Sequence, residues 1–215
     1  MFPRSTTNIR VKSATSSQPK HKKLLFLDID GVLHPLGENS LPTHASLEDL
    51  SARVDLELAH GDDPNFISPQ VQGEFLAENM CQLCRVIAAT DAEIILSSTW
   101  RTTPYQRRAA IDQLHKHGIK QEVFRSTPEL GTGATCREQE ICLFLDQEYD
   151  QDAHNVSTEL LSYVCVDDAD LCRWEESTFD PGCFVRCQAS EGLTELDATK
   201  LITLLNRDTR EIDES

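Results

Sequence analysis

Five short stretches of this chain are almost purely apolar: 23–28 (KLLFLD), 93–97 (EIILS), 121–125 (QEVFR), 162–167 (SYVCVD) and 183–188 (CFVRCQ). Runs of that length, rich in Leu, Ile, Val and Phe, predict strands buried on both faces. Longer segments between them carry apolar residues at helical spacing. Phe75, Leu76, Met80, Leu83 and Ile87 form one such stripe, and Ser68-Pro69 ahead of it reads as an N-cap with a first-turn proline. Thr103-Pro104 repeats that start signal before Ile111 and Leu114, and Gly118 supplies the stop. Thr135-x-x-Glu138 reads as a capping box ahead of Ile141, Phe144 and Leu145. Thr194-x-x-Asp197 reads as another, with Leu193 and Ala198 spaced as a hydrophobic staple.

Strands that alternate with helices predict an α/β fold, a doubly wound, mainly parallel five-stranded sheet flanked by helices. Two regions break the alternation. Residues 35–67 form an acidic insert after the first strand. Within it, 46–58 suits a short helix (Leu47, Leu50, Val54, Leu58) as well as a strand (Val54, Leu56, Leu58), so the insert is a flap or small cap, or else a surface loop. Residues 207–215 are a polar tail. The expected organisation is therefore a tail over 1–22, a domain over 23–206 and a second tail.

Composition narrows the function. A chain of 215 residues suits one domain with a substantial core. No apolar run approaches the roughly 18 residues of a membrane span, so no membrane partner is expected. The formal charge of −16 excludes a general nucleic-acid binder, and no stable nucleic-acid binding is expected. The charge is uneven: Arg4, Arg10, Lys12, Lys20, Lys22 and Lys23 make residues 1–23 +6, which leaves −22 on the rest, the difference between −16 and +6. This basic, Ser/Thr-rich, acid-free start reads as a disordered tail or as an organelle transit peptide. Eight scattered cysteines without a secretory signal point to reduced thiols in an intracellular, cytoplasmic protein. Cys81-x-x-Cys84 has no second pair to complete a zinc site, and both residues read as small buried side chains.

Sheets of this kind bind ligands outside the carboxyl ends of their strands. Asp28 and Asp30 stand at the first such end, Ser97 at the second, and Asp167 and Asp168 at the fourth, with Asp170 close behind. Several carboxylates do not stay ionised together without a cation. Hard oxygens with no accompanying His or Cys array favour Mg²⁺. Arg137, which the capping box puts at the second helical position, opposes the helix dipole unless an anion docks there. Glu138 and Glu140 read as first-turn acids. His34 is placed to line a substrate entrance or to pack in its loop, Trp100 to stack a base or to wedge between sheet and helix. Arg101 is placed to meet a second phosphate or a structural carboxylate.

The ordered pieces "FLDIDGVLHP", "IILSSTWR", "CREQEI" and "YVCVDDAD" resemble the haloacid dehalogenase (HAD) superfamily of aspartate-nucleophile phosphatases. They are most similar to its nearly capless branch, which includes phosphatase domains associated with RNA repair proteins. The resemblance implies a nucleophilic Asp28 that also binds Mg²⁺. It implies that Asp30 is the general acid and base, with its backbone carbonyl on the metal. Ser97 would bond a phosphoryl oxygen, Arg137 would stabilise developing charge, and Asp168 would complete the metal shell with Asp167 as the competing assignment. Many relatives carry Lys where Arg137 stands. The expected function is Mg²⁺-dependent hydrolysis of a phosphomonoester, the partner being a phosphorylated small molecule or an oligonucleotide end. A nucleic-acid end-processing phosphatase and a non-catalytic phospho-ligand module are the alternatives. A transferase using Asp-x-Asp leaves Ser97 and Arg137 without a role.

Overall fold

A computed structural model of the chain describes residues 20–36, 75–131, 134–149, 158–172 and 179–207. Its five strands are β1 (Lys20–Leu27), β2 (Glu93–Leu96), β3 (Arg125–Ser126), β4 (Thr158–Asp167) and β5 (Phe184–Arg186). Among the described residues, four helices accompany them: α1 (Ala77–Thr90), α2 (Pro104–Lys116), α3 (Ala134–Tyr149) and α4 (Glu195–Leu205). The strands form one all-parallel sheet in the order β3-β2-β1-β4-β5.

The near-continuous apolar runs exist because both faces of each central strand are covered. Leu25, Leu27, Ile94, Leu96, Val164 and Val166 pack on one side with Met80, Leu83, Leu114 and Leu201 from α1, α2 and α4. The residues between them, Leu24, Phe26, Ile95 and Cys165, pack on the other side with Ile141 and Phe144 of α3. Phe26 meets Phe144 edge-on at 5.5 Å and Tyr163 at 6.2 Å. Truncating such a side chain to alanine costs about 3–5 kcal/mol.

The connectivity follows from the right-handed crossover rule. The chain steps from β1 to β2 to β3 in one direction, which puts α1 and α2 on one face. It then returns past β1 to β4, and the reversed direction puts α3 on the other face. Chain direction therefore switches at β1, with β2 and β4 on either side, and the crevice at this switch is where ligands bind in such sheets.

Several boundaries differ from the sequence reading. β1 opens at Lys20, so residues 20–22 belong to the sheet and not to the tail. Lys20, His21 and Lys22 pair with Thr158–Leu160 ahead of a register shift at Lys22/Lys23, and Lys22 Nζ meets Glu93 at 2.8 Å. The third strand is only Arg125–Ser126 instead of 121–125, because the Gln121 side chain substitutes for strand backbone. Ile94 N–H donates to its Oε1 at 2.8 Å and its Nε2 donates to Ile94 C=O at 2.9 Å. The fifth strand shortens to Phe184–Arg186. The helix expected after Ser68-Pro69 starts at Ala77, and Ser68 and Pro69 lie outside the described residues, as do most of the 35–67 insert, residues 1–19 and residues 208–215.

Other signals act as written. Thr103 Oγ1 accepts from Gln106 N–H, and Gly118 sits at φ +89° where α2 ends. Thr194 and Asp197 form the reciprocal capping box of α4, with Leu193 and Ala198 in the core. α3, by contrast, begins at Ala134. Thr135 is therefore its second residue and no N-cap, and Arg137 is the fourth helical residue, not the second. The seven described cysteines are free thiols. Cys81 is exposed, against the expectation of burial, and Cys84 is half-buried, its Sγ 3.4 Å from His117 C=O. Among the described residues, no helix is long and apolar enough to cross a membrane.

Candidate active site

Asp28 is the first residue past β1. Its N–H donates to Val166 C=O of β4 at 3.1 Å, and Ser97 N–H donates to Leu27 C=O at 2.9 Å, so the ends of β1, β2 and β4 stay in register beyond the strands themselves. Side chains alternate along a strand. Asp28 thus continues the row of Leu24 and Phe26, Asp167 that of Cys165, and Ser97 that of Ile95, all on the face covered by α3. Arg137 comes down from α3 onto this row. Its Nη1 lies 2.9 Å from Asp28 Oδ2 and 2.6 Å from Asp167 Oδ2.

Burial dominates the electrostatics. It raises the Asp28 carboxyl to about 7. The Asp167 charge adds to the rise, and Arg137, the Ile29 N–H and the Ser98 hydroxyl oppose it. Burial also raises Asp167, with Arg137 and the Ala169 N–H, which donates to Oδ1 at 2.8 Å, offsetting part of the effect. Arg137 is the converse: burial disfavours its charge, but Asp28 and Asp167 outweigh burial and hold it protonated. One guanidinium does not neutralise the group. Asp28, Asp167 and Asp168 each offer an oxygen, all within 4.8 Å of one another. Two raised carboxyls in an oxygen-only cluster fit a hard divalent cation such as Mg²⁺. Gly31 permits this convergence: it sits at φ +72°, and a Cβ there would come within 2.4 Å of Asp168 Cγ.

Asp30 stands apart. Its carboxylate is not in the acidic cluster. Oδ2 accepts from Trp100 Nε1 at 2.9 Å, and Oδ1 lies 3.3 Å from His34 Nδ1. Trp100 is buried, 5.7 Å from the Phe75 ring, so packing and a polar contact coincide in it. Asp170 pairs with Arg186 Nη1 at 3.1 Å.

Ser97 is 2% exposed, and its Oγ has no hydrogen-bond partner among the described residues. Thr127, which continues the row of Arg125 beside it, carries a second buried, unpartnered hydroxyl. Sequence reasoning missed Thr127. It also missed Ser98, which is fully buried and bonds Asp28.

Arg101 meets a structural carboxylate. Its guanidinium pairs with Glu140, the two side chains only 5% and 2% exposed. It also donates to the carbonyls of Ser98 (2.7 Å), Thr127 (3.1 Å) and Pro128 (3.2 Å). Glu140 takes the Leu130 N–H at 2.8 Å. The pair ties the loops after β2 and β3 to α3, the helix that carries Arg137. The helix starts at Ala134, so Glu138 and Glu140 lie past its first turn and are not the first-turn acids expected, and both are buried. The signal was present in the helical spacing of Arg137, Glu140, Ile141 and Phe144, which puts Glu140 on the inward stripe.

The family model for the HAD domain in Swiss Army Knife RNA repair proteins matches residues 24–198. The solved HAD domain of effector protein Lem4 from Legionella pneumophila is similar at 13% identity and a TM-score of 0.46, with 88% of this chain and 98% of that chain covered. No curated protein matches the sequence.

Proposed function

We propose that this chain, which belongs to the family of HAD domains found in Swiss Army Knife RNA repair proteins, is a Mg²⁺-dependent phosphomonoester hydrolase acting through an aspartyl phosphate. The observation that carries this reading is the buried group of Asp28, Asp167 and Asp168 oxygens within 4.8 Å, crossed by Arg137. Desolvating these charges costs stability, and a bound cation and phosphoryl group would offset that cost.

Asp28 and Asp168 would hold the ion. Asp167 is the weaker candidate, because Arg137 engages its Oδ2 and the Ala169 N–H its Oδ1. When bound, Mg²⁺ would offset the negative charge shared by the carboxylate and the phosphoryl oxygens. The chain's own groups do the rest. With Arg137 held on Asp28 Oδ2, the Asp28 carboxylate attacks phosphorus. The ester P–O bond breaks, and the departing oxygen takes a proton from Asp30. The Ser97 hydroxyl donates to a phosphoryl oxygen, which supplies the partner that it otherwise lacks. Asp30 then takes a proton from water as that water attacks phosphorus, and phosphate and the Asp28 carboxylate are released.

A phosphorylated RNA or DNA end is the second reading of the substrate, favoured by the RNA repair proteins in which this family is found. The body's net charge near −22 favours brief contact with an end over tight binding. The test measures phosphate release from p-nitrophenyl phosphate and from 3′- and 5′-phosphorylated oligonucleotides, in Mg²⁺ or EDTA, for the parent and Asp28→Asn. Release that needs Mg²⁺ and is lost in Asp28→Asn is the expected result. Equal turnover in Asp28→Asn rules out the covalent mechanism.

A further inference from the structure

The proposed reaction requires Asp30 to give a proton to the leaving oxygen and later to take one from water. Both transfers depend on where its two oxygens point. The Asp30 side chain is 38% exposed, and an aspartate at such a site turns readily about its broad terminal torsion. Here both oxygens have neighbours. Trp100 Nε1 donates to Oδ2 at 2.9 Å, and His34 Nδ1 lies 3.3 Å from Oδ1.

Trp100 is itself closely packed. It is 6% exposed, packs on Phe75 and sits in the tight turn Thr99–Arg101, whose N-cap Ser98 accepts from the Trp100 backbone N–H. An indole N–H is a donor only. The oxygen that it touches is thereby engaged as an acceptor, which favours Oδ1, beside His34 Nδ1, as the oxygen that carries the proton destined for the leaving group.

We infer that Trp100 is a positioning residue that fixes the Asp30 carboxylate for proton delivery from Oδ1, and that it thereby adapts the site to alkyl phosphomonoesters. This inference rests on the phosphatase reading and extends it to a substrate class. Alkyl alcohols, ribose hydroxyls among them, leave poorly unless protonated in step with P–O cleavage. A nitrophenolate leaves without help. The contribution of a well-placed acid thus grows as the leaving group worsens. The plainer account is that a buried tryptophan packs against Phe75 and its N–H takes the nearest acceptor. Under that account, loss of the N–H slows all substrates alike.

The experiment uses the 215-residue chain with Mg²⁺ and measures kcat and KM for p-nitrophenyl phosphate, phenyl phosphate and β-glycerol phosphate. Trp100→Phe keeps an aromatic ring against Phe75. A second variant carries β-(3-benzothienyl)alanine at position 100, with sulfur in place of the N–H and the bicyclic shape intact. The expected result is a loss of kcat on β-glycerol phosphate about 10- to 100-fold larger than the loss on p-nitrophenyl phosphate, with KM little changed. Equal losses across the series, or none, overturn the inference while leaving the phosphatase reading in place. A parent that hydrolyses neither these three nor the 3′- and 5′-phosphorylated oligonucleotides overturns both. A readout independent of turnover is the Trp100 indole N–H resonance, assigned by its absence in Trp100→Phe; the chain has two tryptophans. It moves upfield in Asp30→Ala, and a resonance that does not move overturns the contact on which the inference stands.

Discussion

In the proposed mechanism, Ser97 sets folding against chemistry in a single hydroxyl. Its Oγ is buried and unpartnered, an arrangement that costs about 1–3 kcal/mol of stability. Ser97→Ala is therefore expected to raise thermal stability by about 1 kcal/mol while lowering phosphate release. A melt and an assay on the same preparation check both signs. Asp28 shows the same conflict in charge. Its carboxyl rises from 3.8 to about 7 in the folded protein, first by burial and then by Asp167. Below pH 3.8 both folded and unfolded chains hold the proton; between there and about 7 only the folded chain does. Stability gained from this proton is thus lost as pH rises through about 7. In EDTA, the parent is expected to lose more thermal stability than Asp28→Asn between pH 5 and pH 8. Adding Mg²⁺ should stabilise the parent more at pH 8 than at pH 5, because proton and cation compete for the same carboxylate. Equal pH dependence in the two proteins would contradict this account.

At the scale of elements, the Arg101–Glu140 pair decides how α3 meets the sheet edge. Each side chain is almost fully buried, and removing one partner leaves the other charge stranded. Glu140→Ala is expected to cost about 3–5 kcal/mol, roughly 6–20 °C in melting temperature for a domain of this size. Surviving activity should fall as well, since Arg137 lies less than one turn away on the same helix. A chemical denaturation curve together with kcat at low temperature separates the two effects. This link is hidden from local sequence signals because Arg101 and Glu140 are 39 residues apart. The short β3 is hidden for a related reason. The stretch 121–125 has a strand-like composition, but the Gln121 amide takes over the pairing with Ile94, and no periodicity reports a side chain acting as backbone.

Over the whole molecule, charge is segregated between a basic start and an acidic body. Lys20–Lys22 lie in β1, so the removable basic segment ends at residue 19. Deleting residues 1–19 should leave turnover of p-nitrophenyl phosphate intact. It should also weaken any oligonucleotide binding, whose affinity is expected to fall steeply with salt in the parent and less so in the truncated chain. Titration of a labelled oligonucleotide at two salt concentrations checks this. Equal slopes would remove the tail from any role in holding nucleic acid.

Much of this protein was legible in its residues. Alternating apolar runs and helical stripes determined a parallel α/β sheet, and the acids and serine immediately after those runs pointed to the edge where the candidate site gathers. Asp28, Ser97, Asp167 and Asp168 could be named that way because a strand-end residue keeps the register of its strand. What only the tertiary structure decided is how these groups pair. Arg137 spans Asp28 and Asp167, Asp168 fills the space that Gly31 leaves open, Trp100 grips Asp30, and Glu140 turns inward to Arg101. Each of these contacts joins residues from different elements. Burial, which sets both their strength and the raised carboxyls, exists only once β1, β2, β4 and α3 have closed around them.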